Sequence, residues 1–231
     1  MIDFKAQSKF LKSELEKIAK SRNCTINGKK IIAYHGTSLN RAENILKEGF
    51  MDPLKMACEF RGSGTNAEVE QGLAFLSYKK DYAAVYSHIY SNRDKDTPVF
   101  IEIEVCIINM LKDEDITSDF RDSIYLFAKD EYDKGNEDLL RFTYNRVGGS
   151  AYQSMVSGWR GYYTSKITGK QDFCGISKLL DILGYDAVAG ADYNFLGDNL
   201  SFAINHPDIS ILNMKIIEIS EKELHSYLFI D

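Results

Sequence analysis

One stretch, Pro98-Val-Phe-Ile-Glu-Ile-Glu-Val-Cys-Ile-Ile108, constrains the fold more than any other part of the chain. Val99, Ile101, Ile103 and Val105 alternate with Glu102 and Glu104. Successive strand side chains point to opposite faces, so this pattern predicts a strand with one dry face and one wet face. A sheet wet on one side is built antiparallel, since the crossover helices of parallel sheets cover both faces. Glu102 and Glu104 then belong to a solvated face and not to a catalytic pair.

The remaining segments read as elements around such a sheet. Phe4, Phe10, Leu11, Leu15 and Ile18 recur at helical spacing and predict an amphipathic helix over 4–21 that packs on the main domain, ahead of a turn at Asn27-Gly28. Lys-Ile-Ile-Ala-Tyr34 predicts a short buried strand ending at His35-Gly36. After it, Asn40 and Glu43 have capping-box spacing, Ala42, Ile45 and Leu46 supply an apolar face, and Gly49 stops the helix. Residues 51–71 lack periodicity and read as a loop whose length points to ligand handling.

Leu73–Ser77 reads as a strand and Lys79–Asn92 as a helix, and an acidic helical insertion with a Gly- and Tyr-rich loop follows over 111–170. Phe173–Gly190 reads as helix, turn and strand, and Leu200–Ile204 and Ile209–Ile219 as two closing strands. The fold class expected is α+β. The division expected is an N-terminal helical extension over 1–29, a main domain over 30–220 and a tail over 221–231.

Composition narrows the chemistry. With 231 residues, 44% of them hydrophobic, the chain is long enough for one sizeable core. A formal charge of −6 argues against wholesale docking on nucleic acid or an anionic membrane, both of which need a dense basic field. Cys24, Cys58, Cys106 and Cys174 have no CxxC spacing, so neither a metal site nor a disulfide framework is expected, and Cys106 reads as a small hydrophobe in a strand. The first residues are charged throughout and no apolar run reaches spanning length, which gives a cytoplasmic address, or that of a secreted effector or toxin that acts in a host or target cytosol.

Two motifs carry the functional reading. Ala33–Phe50, Ala-Tyr-His-Gly-Thr-Ser-Leu-Asn-Arg-Ala-Glu-Asn-Ile-Leu-Lys-Glu-Gly-Phe, sets Tyr34-His35-Gly36-Thr37 at a strand end before a helix closed by glycine. Phe75-Leu-Ser-Tyr-Lys-Lys-Asp-Tyr-Ala-Ala-Val-Tyr86-Ser87 sets two aromatics eleven residues apart across a turn. Together they resemble the diphtheria-toxin and poly(ADP-ribose)-polymerase branch of the ADP-ribosyltransferases. The resemblance spans roughly residues 30–107, with weaker likeness from Gly184 to Ile217.

The resemblance implies an ADP-ribosyltransferase-like fold, two packed and mostly antiparallel sheets with flanking helices, and NAD as donor substrate with no metal. It implies that Phe75 and Tyr86 clamp the nicotinamide ring, whose positive charge favours aromatic faces. By the same likeness the Gly36 backbone meets the carboxamide, His35 bonds the adenosine ribose with help from Thr37 or Ser38, and Ser77 and Asn199 complete the binding set. The family's catalytic glutamate falls near Asn199 or Leu200, so Asp198 is the acid expected to steady the positive charge that builds on the ribose. His35, Tyr86 and Asp198 are thus the expected catalytic residues.

The activity implied is mono-ADP-ribosyl transfer to a macromolecular acceptor, a protein in preference to nucleic acid, with no membrane partner. NAD hydrolysis and non-catalytic NAD or partner binding are the alternatives. His88 and His225 read as surface residues and His206 as part of a turn before Pro207. Trp159, Tyr162 and Tyr163 read equally as an acceptor loop or as buried anchors. Arg61, Lys79 and Lys80 are phosphate candidates whose plainer reading is solvated charge.

Overall fold

Ten residues, Lys29–Ser38, form β1 and pair with every residue of β3, Pro98–Ile107, in an antiparallel ladder. The computed structural model describes residues 1–25, 27–50, 73–133, 180–190 and 201–228, without the side chains of residues 121, 125 and 128–133. In chain order the elements are α1 (Phe4–Ser21), β1, α2 (Leu39–Glu48), β2 (Ala74–Ser77), α3 (Lys80–Asp94), β3, β4 (Met110–Leu111) and α4 (Ser118–Asp133). They continue with β5 (Ala187–Ala189), β6 (Ser201–Ile204), α5 (Pro207–Ser210), β7 (Ile211–Glu218) and α6 (Glu221–Leu228).

The architecture is α+β, but the described strands form one sheet where the sequence led us to expect two. Its order is β4-β5-β6-β2-β1-β3-β7, and every pairing is antiparallel except β4 with β5. Continuity across the middle rests on a single residue pair, Tyr34 opposite Ser77. The sheet is therefore two half-sheets, β4-β5-β6-β2 and β1-β3-β7, joined at one seam.

The sheet also curls. β3 and β4 lie five places apart in the strand order, yet only Ile108 and Asn109 separate them along the chain. The three steps from Ile107 to Met110 span at most about 11 Å, so the end of β3 must lie close to the far edge of the sheet. A buried carboxylate holds this closure: Asp186, just before β5, accepts the backbone N–H of Ile108 and of Asn109, each at 2.8 Å. One core cluster accordingly draws on both halves, with Ala74, Leu76 and Phe202 beside Ala33, Ile101 and Ile103. On the outer surfaces, the Leu111, Phe120, Val188 and Ala203 cluster backs one half, and Ala83, Phe100 and Leu224 back the other.

α1 matches the helix expected over 4–21 and is part of this structure. Phe4, Leu11, Leu15 and Ile18 are buried, each side chain contributing on the order of 1.5–3 kcal/mol as an upper figure. Its axis passes so close to Gly184 that a Cβ there would meet the Gln7 backbone at 2.5 Å, and Gly184 has φ +80° besides. Beyond the helix, Cys24 is joined to Cys106 by a disulfide, which corrects the reading of Cys106 as a reduced hydrophobe. The physical reason lies in the β1–β3 ladder: Lys30 pairs with Cys106, so the chain entering β1 passes over that residue. Gly28 fits there because a Cβ would lie 2.5 Å from one sulfur and 2.7 Å from the other.

The expected Asn40–Glu43 capping box does not form. α2 begins at Leu39 with Ser38 as its cap residue, and its first amides are satisfied at long range, Leu39 N–H by the Thr97 carbonyl and Asn40 N–H by the Asp96 carboxylate. Gly49 does end the helix, at φ +83°. At the other terminus, the segment expected as a tail contains α6, which lays Leu224 against Ala83 and Phe100.

Candidate functional site

The seam between β1 and β2 is where the sequence motifs meet. Past Tyr34, a continued ladder would set His35 opposite Leu76 and Gly36 opposite Phe75. Instead β2 turns fully to β6, with Phe75 opposite Ala203 and Leu76 opposite Phe202. The two strands diverge and turn one backbone edge of residues 35–38 toward the opening.

His35 bridges that opening. Its Nδ1 lies 3.0 Å from the Phe75 carbonyl oxygen, and because a carbonyl only accepts, Nδ1 carries the proton. Burial pushes the pKa of the ring below the ordinary histidine value, against the smaller opposing pull of the Phe75 bond. The imidazole is thus neutral at pH 7, with Nε2 left as its acceptor nitrogen. The ring of Phe50 meets it edge to face at 5.2 Å. A neutral, fixed histidine with one acceptor nitrogen suits a hydroxyl ligand and not an anion.

Gly36 is required here by packing. A Cβ at this position would lie 1.8 Å from the Ala83 carbonyl oxygen and 2.9 Å from the Ser87 nitrogen. The missing side chain lets α3 sit directly on β1, and Ser87 Oγ fastens the contact by donating to the Val99 carbonyl at 2.6 Å. The freedom of glycine is spent on the helix, and only the backbone edge of Gly36 is left for a ligand.

α3 carries Tyr82, Tyr86 and Tyr90 as a stripe at four-residue spacing, with ring centroids 5.9 and 6.5 Å apart. Tyr86 directly precedes the Ser87 nitrogen that packs on Gly36. His35, Gly36, Phe75 and the turn bearing Tyr86 therefore share one neighbourhood. The Phe75 ring is partly buried against the cluster containing Leu73, Val188 and Ala203.

Other expected binding residues have structural duties. Ser38 Oγ donates to Asp94 at 2.6 Å. Ser77 Oγ donates to the Lys79 carbonyl and accepts the Lys79 N–H, closing the turn into α3. Thr37 is buried. Lys80 lies over the Tyr34 ring at 5.4 Å. Asp198, Asn199, Arg61, Trp159, Tyr162 and Tyr163 lie outside the described residues, as do the loop over 51–71 and most of the insertion. The closest described position to Asp198 is Ser201, which opens β6 opposite Ser77 on the seam.

The glutamates of β3 sit as expected, Glu102 paired with Lys215 and Glu104 with Lys30, and His88 and His225 are exposed. Two polar arrangements were not legible in the sequence, which placed His206 only in a turn before Pro207. Asp186 is buried to 1% exposure, and burial raises its pKa to about 6 despite the two backbone N–H bonds that act the other way. His206 bonds Asp181, which also accepts from Asn205. Neither pattern has a local spacing that announces it, because each depends on strand pairing that brings distant residues together. Among the described residues no group of three or more His, Cys, Asp or Glu side chains is placed to hold a metal, and no described helix is long and apolar enough to cross a membrane.

No protein-family model, curated protein or solved structure matches the chain.

Proposed function

We propose that the chain is a mono-ADP-ribosyltransferase that takes NAD at the β1–β2 seam and transfers ADP-ribose to a macromolecular acceptor, a protein in our reading. The observation that carries this is the seam itself: β1 and β2 part immediately after Tyr34, and the neutral His35 ring spans the gap to Phe75. In this reading the two half-sheets correspond to the two sheets of an ADP-ribosyltransferase-like fold.

The residues present fit the donor. The backbone edge of Gly36 would pair with the nicotinamide carboxamide, as two strands pair. Tyr86 and Phe75 would flank the ring, each aromatic face contributing on the order of 1 kcal/mol toward a pyridinium. Nε2 of His35 would accept a ribose hydroxyl. When the glycosidic C–N bond breaks, its electron pair goes to the nicotinamide nitrogen and the positive charge passes to the ribose carbon, where the acceptor's nucleophile then bonds. A carboxylate beside that ribose stabilises the transition state more than the ground state, because the charge there is still developing. Asp198 is the acid we assign, three residues ahead of the strand residue that pairs with Ser77.

Incubating the protein with NAD labelled in its adenosine half, with and without cell lysate, tests the proposal. Label on a macromolecule together with released nicotinamide supports it. Nicotinamide release without transfer makes the chain an NAD glycohydrolase, and saturable NAD binding without release makes it a binding module. Tyr86→Ala is expected to abolish turnover in a folded protein, and Asp198→Ala to reduce it at least a hundredfold. Full activity in Asp198→Ala would move the acid elsewhere.

A further inference from the structure

The tyrosine stripe of α3 ends in a built assembly that the nicotinamide reading does not use. Beyond Tyr86, the Tyr90 ring lies at 29° to it, and the Arg41 guanidinium lies over Tyr90, 5.0 Å from its centroid. Arg41 is itself fixed. Its Nε and Nη2 donate to the two oxygens of Asp94, with Nη2 at 3.1 Å, and Ser38 Oγ donates to the same carboxylate. Arg41 lies in the first turn of α2, Asp94 closes α3, and Ser38 ends β1. At the opposite end of the stripe Tyr82 is buried. Tyr86 therefore stands between an anchored ring and a ring capped by a two-pronged ion pair.

We propose that Arg41 and Tyr90 are positioning residues for Tyr86: they hold its ring at one orientation relative to β1, with Asp94 and Ser38 as the link. This rests on the reading of Tyr86 as one wall of the donor site. The physical case is that an aromatic side chain on a helix surface has several rotamers, and a ring stacked on one side is left with fewer. A cation over the outer ring, oriented by a planar bidentate pair, adds a directional attraction that lysine does not reproduce. A ligand ring then meets a wall already set, so less ordering is required on binding.

The test is nuclear magnetic resonance of ring-labelled tyrosine in the free protein, with Tyr86 assigned through Tyr86→Phe, followed by NAD titration. In Arg41→Gln and Tyr90→Leu the Tyr86 ring resonances should move and broaden, and the NAD dissociation constant should rise about 5- to 10-fold. Tyr90→Phe, which keeps the ring face, should retain both wild-type values. Arg41→Lys should fall between, and serves in place of Arg41→Gln if that variant does not fold. Tyr86 resonances unchanged in Tyr90→Leu and in the arginine variant would overturn the proposal. If the resonances move while the wild-type protein binds no NAD, the positioning stands and the donor-site reading falls.

Discussion

His35 Nδ1 donates to the carbonyl oxygen of Phe75 at 3.0 Å, so a side chain takes the acceptor that a continued β1–β2 ladder would have given to a backbone amide. The bond needs no charge, and burial holds the ring's pKa below the 6.5 of a free histidine. A histidine whose folded pKa is depressed contributes stability that is complete above the unfolded value and is lost as pH falls through the folded one. Thermal unfolding measured from about pH 8 to about pH 5 should show wild type losing stability relative to His35→Gln across the acid half of that range. Parallel curves would show that the imidazole is not desolvated as described.

Gly36→Ala tests the other half of the motif. The added Cβ would overlap the Ala83 carbonyl, which is helix backbone and does not yield as a side-chain tip does. Overpacking of this kind costs about 1–3 kcal/mol and here sits at or above the upper end. Urea unfolding should show that loss with no NAD present. Reduced activity in Gly36→Ala is therefore not evidence of a ligand contact, and a midpoint within error of wild type would mean that α3 is not seated on β1.

Much of this was legible in the sequence, and what was not has a common cause. The helix over 4–21, the strand over 98–107 and the helix carrying Tyr86 follow from periodicities that local residues set. Gly49 followed from the demand for positive φ at a helix end. The α2 cap was misread because a good local box, Asn40 and Glu43, lost to partners at 96–97 that only the β1–β3 pairing brings near. Cys24–Cys106 and Asp186 with the 108–109 link were hidden for the same reason, since each joins residues adjacent only after the strands have paired. At the site, the strand carrying His35 was readable, but it runs on to Ser38 past the end expected at His35-Gly36, and the duties of Ser38 and Ser77 inside turns and caps were not legible.

The Cys24–Cys106 disulfide bears on stability. Joining residues 82 apart, it should add about 2–4 kcal/mol by restricting the unfolded chain. Such bonds persist in oxidising compartments and are rare in reducing cytosol. Alkylation under native and denaturing conditions, followed by mass spectrometry, should leave Cys24 and Cys106 unlabelled until a reductant is added. Reduction, or the double variant Cys24→Ala with Cys106→Ala, should lower the unfolding free energy by the amount above. Free thiols at both positions in protein prepared without reductant would show that the bond does not form.

Asp186 gives a prediction of opposite sign to that of His35. Its carboxylate closes the curl of the sheet through two backbone N–H bonds, each of which favours ionisation, yet burial outweighs them and the pKa stands at about 6 against 3.8 for a free aspartate. A carboxyl group with a raised folded pKa contributes stability that is complete below the unfolded value and is lost as pH rises through the folded one. The span of about two pH units corresponds to about 3 kcal/mol at most. Asp186→Asn keeps the shape without the proton, so the stability of wild type minus that of the variant should shrink between about pH 4 and about pH 7. Chemical unfolding at each pH measures that difference directly. A difference flat across the range would mean that the carboxylate is solvated, and that something other than Asp186 holds β3 against the far edge of the sheet.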